Sequence, residues 1–193
     1  MPLAVQIFQR AFADEHQSRY REDARPSALV DVWQFLHSVA PHGFIAARDD
    51  GKLVGYAIFV PSLKEVQRRA ILSGAVFRWS WMTLLRGELH WSAIIRIVRN
   101  KMLFISGGQR FRSRGDAQLL NVAVDPAAQG RGLAKQLVLS GMESMRSAGI
   151  PEIRLEVRPW NKPAVAVYAK TGWGEVGRTR DLEGEWLVMV ANP

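Results

Sequence analysis

The sequence predicts a mixed α/β fold, a central sheet flanked by helices, and three observations carry that prediction. The last third of the chain alternates strand, helix, strand, helix and a terminal hairpin. A second hairpin lies between Gly43 and Pro61, and helical periodicity dominates what remains. A chain of 193 residues, 48% hydrophobic and 23% charged, has the length and balance of one globular domain, so residues 1–193 are read as a single unit.

Taken in order, Val5, Phe8 and Phe12 share one helical stripe and Leu29, Val32, Trp33 and Leu36 another, separated by the polar stretch from Asp14 to Pro26. Ser27 is placed to cap the second helix and Pro41 to stop it. Two β-rich runs then surround Asp49-Asp50-Gly51, a turn signal. From Ser62 to Phe104 the pattern is helical again. Leu84, Leu85, Leu89, Ile94, Ile95, Val98 and Met102 alternate with arginines and with Trp79, Trp81 and Trp91, which predicts two or three helices. A loop of glycine and arginine, Gly107 to Gly115, leads into a strand from Ala117 to Val124 ending at Asp125-Pro126. A helix from about Gly132 to Ser147, a strand Ile153 to Val157 and a helix from about Lys162 to Lys170 follow. Strands near Trp173 to Arg178 and Trp186 to Ala191, joined through Asp181 to Gly184, complete the chain.

Composition excludes several chemistries. With no cysteine there is no disulfide, thiolate metal site or cysteine nucleophile, and His16, His37, His42 and His90 lack metal-ligand spacing, so no metal is expected. The opening residues carry no secretory pattern, and no apolar run approaches the roughly 20 residues that span a bilayer, which makes cytoplasmic residence the default expectation. The net charge of +8 is concentrated: between Ser62 and Arg114 eleven basic residues face only Glu65 and Glu88. Such a field favours anionic ligands, membrane surfaces or nucleic acid without choosing among them.

The most informative stretch runs from Leu119 to Val138: a strand, a turn containing Gly130 and Gly132, and an amphipathic helix. Glycines let backbone approach a ligand closely, and the unpaired N–H groups at the positive end of a helix dipole form an anion site, supplemented here by Arg131 and Lys135. The spacing matches neither a Walker loop nor a dinucleotide fingerprint.

Val124-Asp-Pro126 followed by Gln129-Gly-Arg-Gly-Leu-Ala134 resembles the signature of the GNAT superfamily, Gln/Arg-x-x-Gly-x-Gly/Ala after a strand ending in Val-x-Pro. The resemblance continues at Asn161-Lys-Pro-Ala-Val-Ala-Val-Tyr-Ala-Lys-Thr-Gly-Trp173, against the family's Asn-x-x-Ala-x-x-x-Tyr-x-x-x-Gly-Phe. It implies a mostly antiparallel mixed sheet and an N-acetyltransferase using acetyl-CoA, with Gln129, Gly130, Arg131, Gly132, Leu133 and Ala134 holding the pyrophosphate through backbone amides. Val122, Ala123 and Val124 would run beside the pantetheine arm, and Asn161, also readable as a helix cap, would contact it. Tyr168 would donate a proton to the leaving thiolate. Its alternative is a packing aromatic on the stripe Ala164, Val167, Tyr168, Thr171.

Glu156 is the candidate base, acting directly or through water. Its alternative is an ion pair with Arg154 or Arg158. Asp116 and Asn121 flank the neighbouring strand, and asparagine cannot serve as a base. The sequence departs from the family pattern twice. Leu3 to Phe8 makes a poor first strand, and an extra basic helical insertion occupies about 62–104, where the family makes a short connection.

Three readings follow: an N-acetyltransferase for a small-molecule or sugar amine, a protein acetyltransferase for an α-amino or lysine amine, or a non-catalytic acyl-CoA-binding module. The expected partners are acetyl-CoA and an amine acceptor, without nucleic acid. Peripheral membrane contact by the insertion is the less favoured use of its charge, and a homodimer is compatible with every reading.

Overall fold

In a computed structural model, residues 2–12, 27–85, 115–181 and 184–193 are described. The expectations for Asp14 to Pro26, for Leu89 to Met102 with Trp91, and for all of the loop before Gly115 lie outside them.

Helix α1 (Pro2–Ala11) and helix α2 (Ser27–Val39) come first, and Pro41 opens a single 3-10 turn after α2. Leu3 to Phe8 is therefore helical, as its periodicity requires, and the sheet begins with the hairpin. Strands β1 (Phe44–Asp49) and β2 (Lys52–Val60) pair antiparallel, and both turn residues take left-handed φ, 46° at Asp50 and 76° at Gly51. That conformation suits glycine and tolerates aspartate, and its twist matches the flanking strands.

The expected insertion begins as helix α3 (Leu63–Leu72), turns through Ser73 and Gly74, and continues as helix α4 (Ala75–Leu85). Ser62 caps α3 by accepting from the Glu65 N–H at 3.1 Å. Asp116 anchors the same end, accepting from the Ser62 hydroxyl and the Lys64 N–H, each at 2.8 Å. One of the two polar side chains flanking the next strand is thus committed to structure.

Strand β3 (Gln118–Val124), helix α5 (Leu133–Ser147), strand β4 (Ile153–Val157), helix α6 (Lys162–Lys170) and strands β5 (Gly174–Asp181) and β6 (Gly184–Ala191) complete the chain. The six strands stand in the order β1-β2-β3-β4-β6-β5 and are antiparallel except where β3 meets β4. This is the mixed, mostly antiparallel sheet that the sequence predicts.

The sheet separates two cores, and β2 feeds both by strand alternation. Tyr56, Ile58 and Val60 pack with Val5, Ile7, Trp33 and Leu36 of α1 and α2. Ala57 and Phe59 face α5, meeting Val138, Met142 and Met145. Helix α5 comes so near that a Cβ at Gly141 would stand 2.0 Å from the Phe59 ring.

Two predictions follow from this packing. Gly141→Ala should destabilise the fold by about 1–3 kcal/mol through overpacking, although alanine gains about 1 kcal/mol in helix propensity. A lowered urea midpoint at unchanged m-value is the expected reading. Tyr56 is fully buried, and burial pushes its phenol well above the ordinary value. Below pH about 10 both native and unfolded states keep the proton; above it only the unfolded state releases one, so stability falls as pH rises. Tyr56→Phe should flatten that alkaline decline, measurable as urea midpoints between about pH 9 and 11.

Candidate active site

Each side of β3 is treated differently by its neighbours. Toward β2 it is paired from Gly55↔Val124 to Val60↔Gln118. Toward β4 the register holds at Gln118↔Arg154, where the Arg154 N–H donates to the Ala117 carbonyl at 3.0 Å. Strand β4 is meanwhile bound to β6 along its whole length, from Ile153↔Ala191 to Val157↔Leu187. Parallel strands held apart this way diverge toward their C-terminal ends, and the second half of β3 keeps one edge without a strand partner. An extended polar ligand can pair there as an added strand would.

A cavity of about 470 Å³ occupies this divergence. Val122, Ala123 and Val124 form one wall, Gln129, Gly130, Gly132, Leu133 and Ala134 its floor, and Tyr168 of α6 with its cap Asn161 the opposite wall. Those ten residues, each singled out from the sequence, line one space. Lys135, named for its charge, joins them.

The floor has the features that suit an anion. Gly132 precedes α5 with φ 74° and Gly130 has φ 79°, conformations that a β-carbon disfavours. A Cβ at either position would meet nothing within 4 Å, so backbone handedness, not crowding, calls for glycine. The Gln136 N–H donates to the Gly132 carbonyl, which leaves the amides of Leu133, Ala134 and Lys135 ahead of the helical ladder. No acidic residue occupies the first turn, and the 15-residue helix places its positive dipole end there.

The loop is fixed from three directions. The Gln129 side-chain amide donates back to the Val124 carbonyl at 3.2 Å, Asp125 accepts from the Ala127 N–H at 3.1 Å, and the Asp125 N–H donates to the Val54 carbonyl at 2.8 Å. Asp125 also pairs with Arg10 of α1 at 2.9 Å.

Asn161 caps α6, its side-chain oxygen accepting from the Ala164 N–H at 3.2 Å while the residue lines the cavity, so the cap and ligand-contact readings coexist. Tyr168 stands two turns further on, its ring 6.0 Å from that of Trp173. Burial pushes its phenol up to about 12, which keeps it protonated throughout the physiological range.

Two named residues are not among those lining the cavity. Arg131 belongs to the loop, but its guanidinium reaches Asp49 in the β-hairpin at 3.0 Å. Glu156 accepts from the Arg154 guanidinium. Of the two arginines considered as its partner, Arg158 is committed elsewhere: it is buried, holds Asp181 through two 3.0 Å bonds and lies over the Trp186 ring. Conversely, Ala11 and Phe12 of the N-terminal segment close part of the cavity, joined by Val138, Pro163, Ala164 and Val167. Phe12 carried a stripe signal, but nothing local to the sequence places it against β3. No group of three or more His, Asp or Glu able to hold a metal ion occurs among the described residues.

Comparison with known proteins agrees with this geometry. The acetyltransferase (GNAT) family model matches residues 5–173. A mycothiol acetyltransferase of Acidothermus cellulolyticus is 27% identical over 184 residues, which is 91% of this chain and 44% of the relative. A [ribosomal protein bS18]-alanine N-acetyltransferase of Salmonella typhimurium is 38% identical over 60 residues, 31% of this chain and 40% of that one. The chain spans less than half the length of these curated relatives. Among solved structures, protein PH1933 of Pyrococcus horikoshii superposes with a TM-score of 0.60 at 16% identity, covering 99% of this chain and 88% of that one, which shows a shared fold. The family match, extending over most of the sequence and both halves of the cavity, establishes that the chain belongs to the GNAT acetyltransferase family.

Proposed function

We propose that the chain transfers an acetyl group from acetyl-CoA to a primary amine of a small molecule or amino sugar, by direct attack of the amine on the thioester. The observation carrying this reading is the convergence, in one cavity, of the unpaired β3 edge, the helix-terminus anion site and Tyr168. A pyrophosphate suits the amides from Gln129 to Ala134, and an amide-containing arm suits the edge of Val122 to Val124. Both features meet where β3 ends, so a molecule carrying the two groups would span them. Acyl-CoA is such a molecule. The curated relative aligned over 91% of the chain is named for mycothiol, whereas the one named for a ribosomal protein aligns over 31%. That difference favours a small acceptor over a protein α-amine.

The chemistry asked of the chain is limited. The amine nitrogen bonds to the thioester carbon, the carbon–sulfur bond breaks, and one proton passes overall from nitrogen to sulfur. A lysine-like amine has a pKa near 10.4 and an α-amino group about 8, so the acceptor must lose a proton before attack. Glu156, held by Arg154 and outside the cavity lining, is poorly placed to take it directly. Tyr168 meets the other end of the reaction. A phenol near 12 is a weaker acid than a thiol near 8.5, so full transfer to a finished thiolate is uphill by roughly 5 kcal/mol. Tyr168 therefore stabilises the developing sulfur charge by hydrogen bonding, and the proton shed by the amine restores the balance.

Titration of the purified chain with acetyl-CoA tests the donor site. Gly132→Glu adds strain at a left-handed φ and sets a carboxylate at the anion site, so affinity should fall at least tenfold; undiminished affinity would move the pyrophosphate elsewhere. Tyr168→Phe should lower kcat by roughly 10²–10⁴-fold while leaving acetyl-CoA affinity nearly unchanged, read as thiol release under saturating donor. With Tyr168 titrating near 12, kcat/KM should climb with pH until the acceptor amine is deprotonated and show no descending limb from Tyr168 below about pH 11. A bell falling below pH 10 in the wild type, and absent from Tyr168→Phe, would contradict that assignment.

A further inference from the structure

The helical hairpin α3–α4 presents an apolar tip that nothing in the proposed transfer reaction uses. Ile71 and Leu72 end α3, and Phe77 and Trp81 lie one turn apart on α4; they are 62%, 71%, 76% and 65% exposed. Large apolar side chains at such exposure, so close in sequence, mark an interaction surface more than ordinary surface scatter.

The inner contacts of the hairpin explain why these residues face outward. In α3, Val66 and Ala70 are buried, and Ala75 is fully buried at the start of α4. The Trp79 indole N–H donates to Asp31 of α2, and its ring meets Phe35 edge-on at 5.2 Å. Arg78 bonds the same carboxylate at 2.7 Å. At about 100° per residue, Phe77 and Trp81 each stand roughly 200° around the helix from Trp79. Docking Trp79 inward thus turns both aromatics away from the body of the domain.

Charge decides the kind of partner. Lys64 and Arg68 share the α3 stripe that ends in Ile71 and Leu72, at spacings of four, seven and eight residues. Glu65 holds Arg68 and Arg69 at 2.8 and 2.7 Å, and α3 and α4 together carry Lys64, Arg68, Arg69 and Arg78 against this one carboxylate of their own and Asp31 of α2, which holds Arg78. The sequence goes on from Arg86 to Arg114 with seven basic residues and one acidic. A helix–turn–helix face bearing exposed aromatic and aliphatic side chains beside cationic ones combines the two attractions that hold a protein to an anionic interface: burial of apolar side chains among the acyl chains and attraction to the headgroups. No described helix is long and apolar enough to cross a bilayer.

We infer that the α3–α4 tip docks on an anionic membrane surface, inserting Ile71, Leu72, Phe77 and Trp81 while Lys64 and Arg68 face the lipid headgroups. The reading is independent of the acetyl-transfer chemistry.

Co-sedimentation of the full chain with phosphatidylcholine vesicles, with and without roughly 30% phosphatidylglycerol, tests it. The anionic vesicles should bind at least tenfold more strongly, and raising salt from about 0.1 to about 0.5 M should weaken that binding severalfold. A double variant, Phe77→Ser with Trp81→Ser, should lose at least tenfold in partitioning, as should Lys64→Glu with Arg68→Glu, both keeping the wild-type circular dichroism melt. Equal partitioning into both vesicle types, or binding that survives both variants, would overturn the inference. So would vesicle-free self-association, seen by sedimentation velocity and abolished by the serine variant, because a second copy of the chain would then own the surface.

Discussion

The parting of β3 from β4 is the constraint on which the rest of the molecule depends. Each strand is fully committed on its far side, β3 to β2 and β4 to β6. The contact between them at Gln118 and Arg154 is therefore the point from which the two half-sheets diverge. A sheet of uniform pairing would have no interior edge. Here the edge sits at mid-sheet, shielded by helices on both faces, where exposed strand groups can serve a ligand without inviting aggregation.

Everything near the divergence holds it open or finishes its walls. Helix α5 must begin just beyond the tip of β3, and the short 3-10 turn with Asp125 as its cap brings it there. Gln129 fastens the turn to Val124. At the other end of β3, Asp116 ties the strand to the start of α3, so the α3–α4 hairpin is built onto the sheet and not merely looped from it. The buried Arg158–Asp181 pair, roofed by Trp186, fastens the β5–β6 hairpin to the end of β4. Its charges are desolvated but fully engaged, the condition under which a buried ion pair is tolerable.

Much of this was legible in the sequence, for reasons that differ by element. The β1–β2 hairpin, α5, β4 and α6 emerge nearly residue for residue because each carries a local signal: Asp50-Gly51 for the turn, Gly132 before α5, and Asn161 with Pro163 at the start of α6. The ten cavity residues were legible through the two motifs that resemble the family's, which cover the end of β3, the turn into α5 and helix α6 with its cap. What escaped is contact between distant segments. Arg131 answers to Asp49, 82 residues away, which its spacing could not show, whereas the pairing of Glu156 with Arg154 on its own strand was one of the two ion pairs weighed from the sequence. Phe12 became a wall of the cavity because α1 lies across β2 and β3, a tertiary placement that its apolar stripe did not specify.

The seating of α1 carries a thermodynamic consequence. Its last residue and the one after it, Ala11 and Phe12, line the cavity, while Arg10 is paired with Asp125 at the start of the turn into α5. A ligand in that cavity gains contact with Ala11 and Phe12 only from the conformation in which the N-terminal helix is docked. Docking of the helix and ligand affinity are then linked quantities, each raising the other by the same factor. Residues 2–12 would then act as a reciprocal clasp, with the amide hydrogens of α1 the place to read occupancy of the cavity.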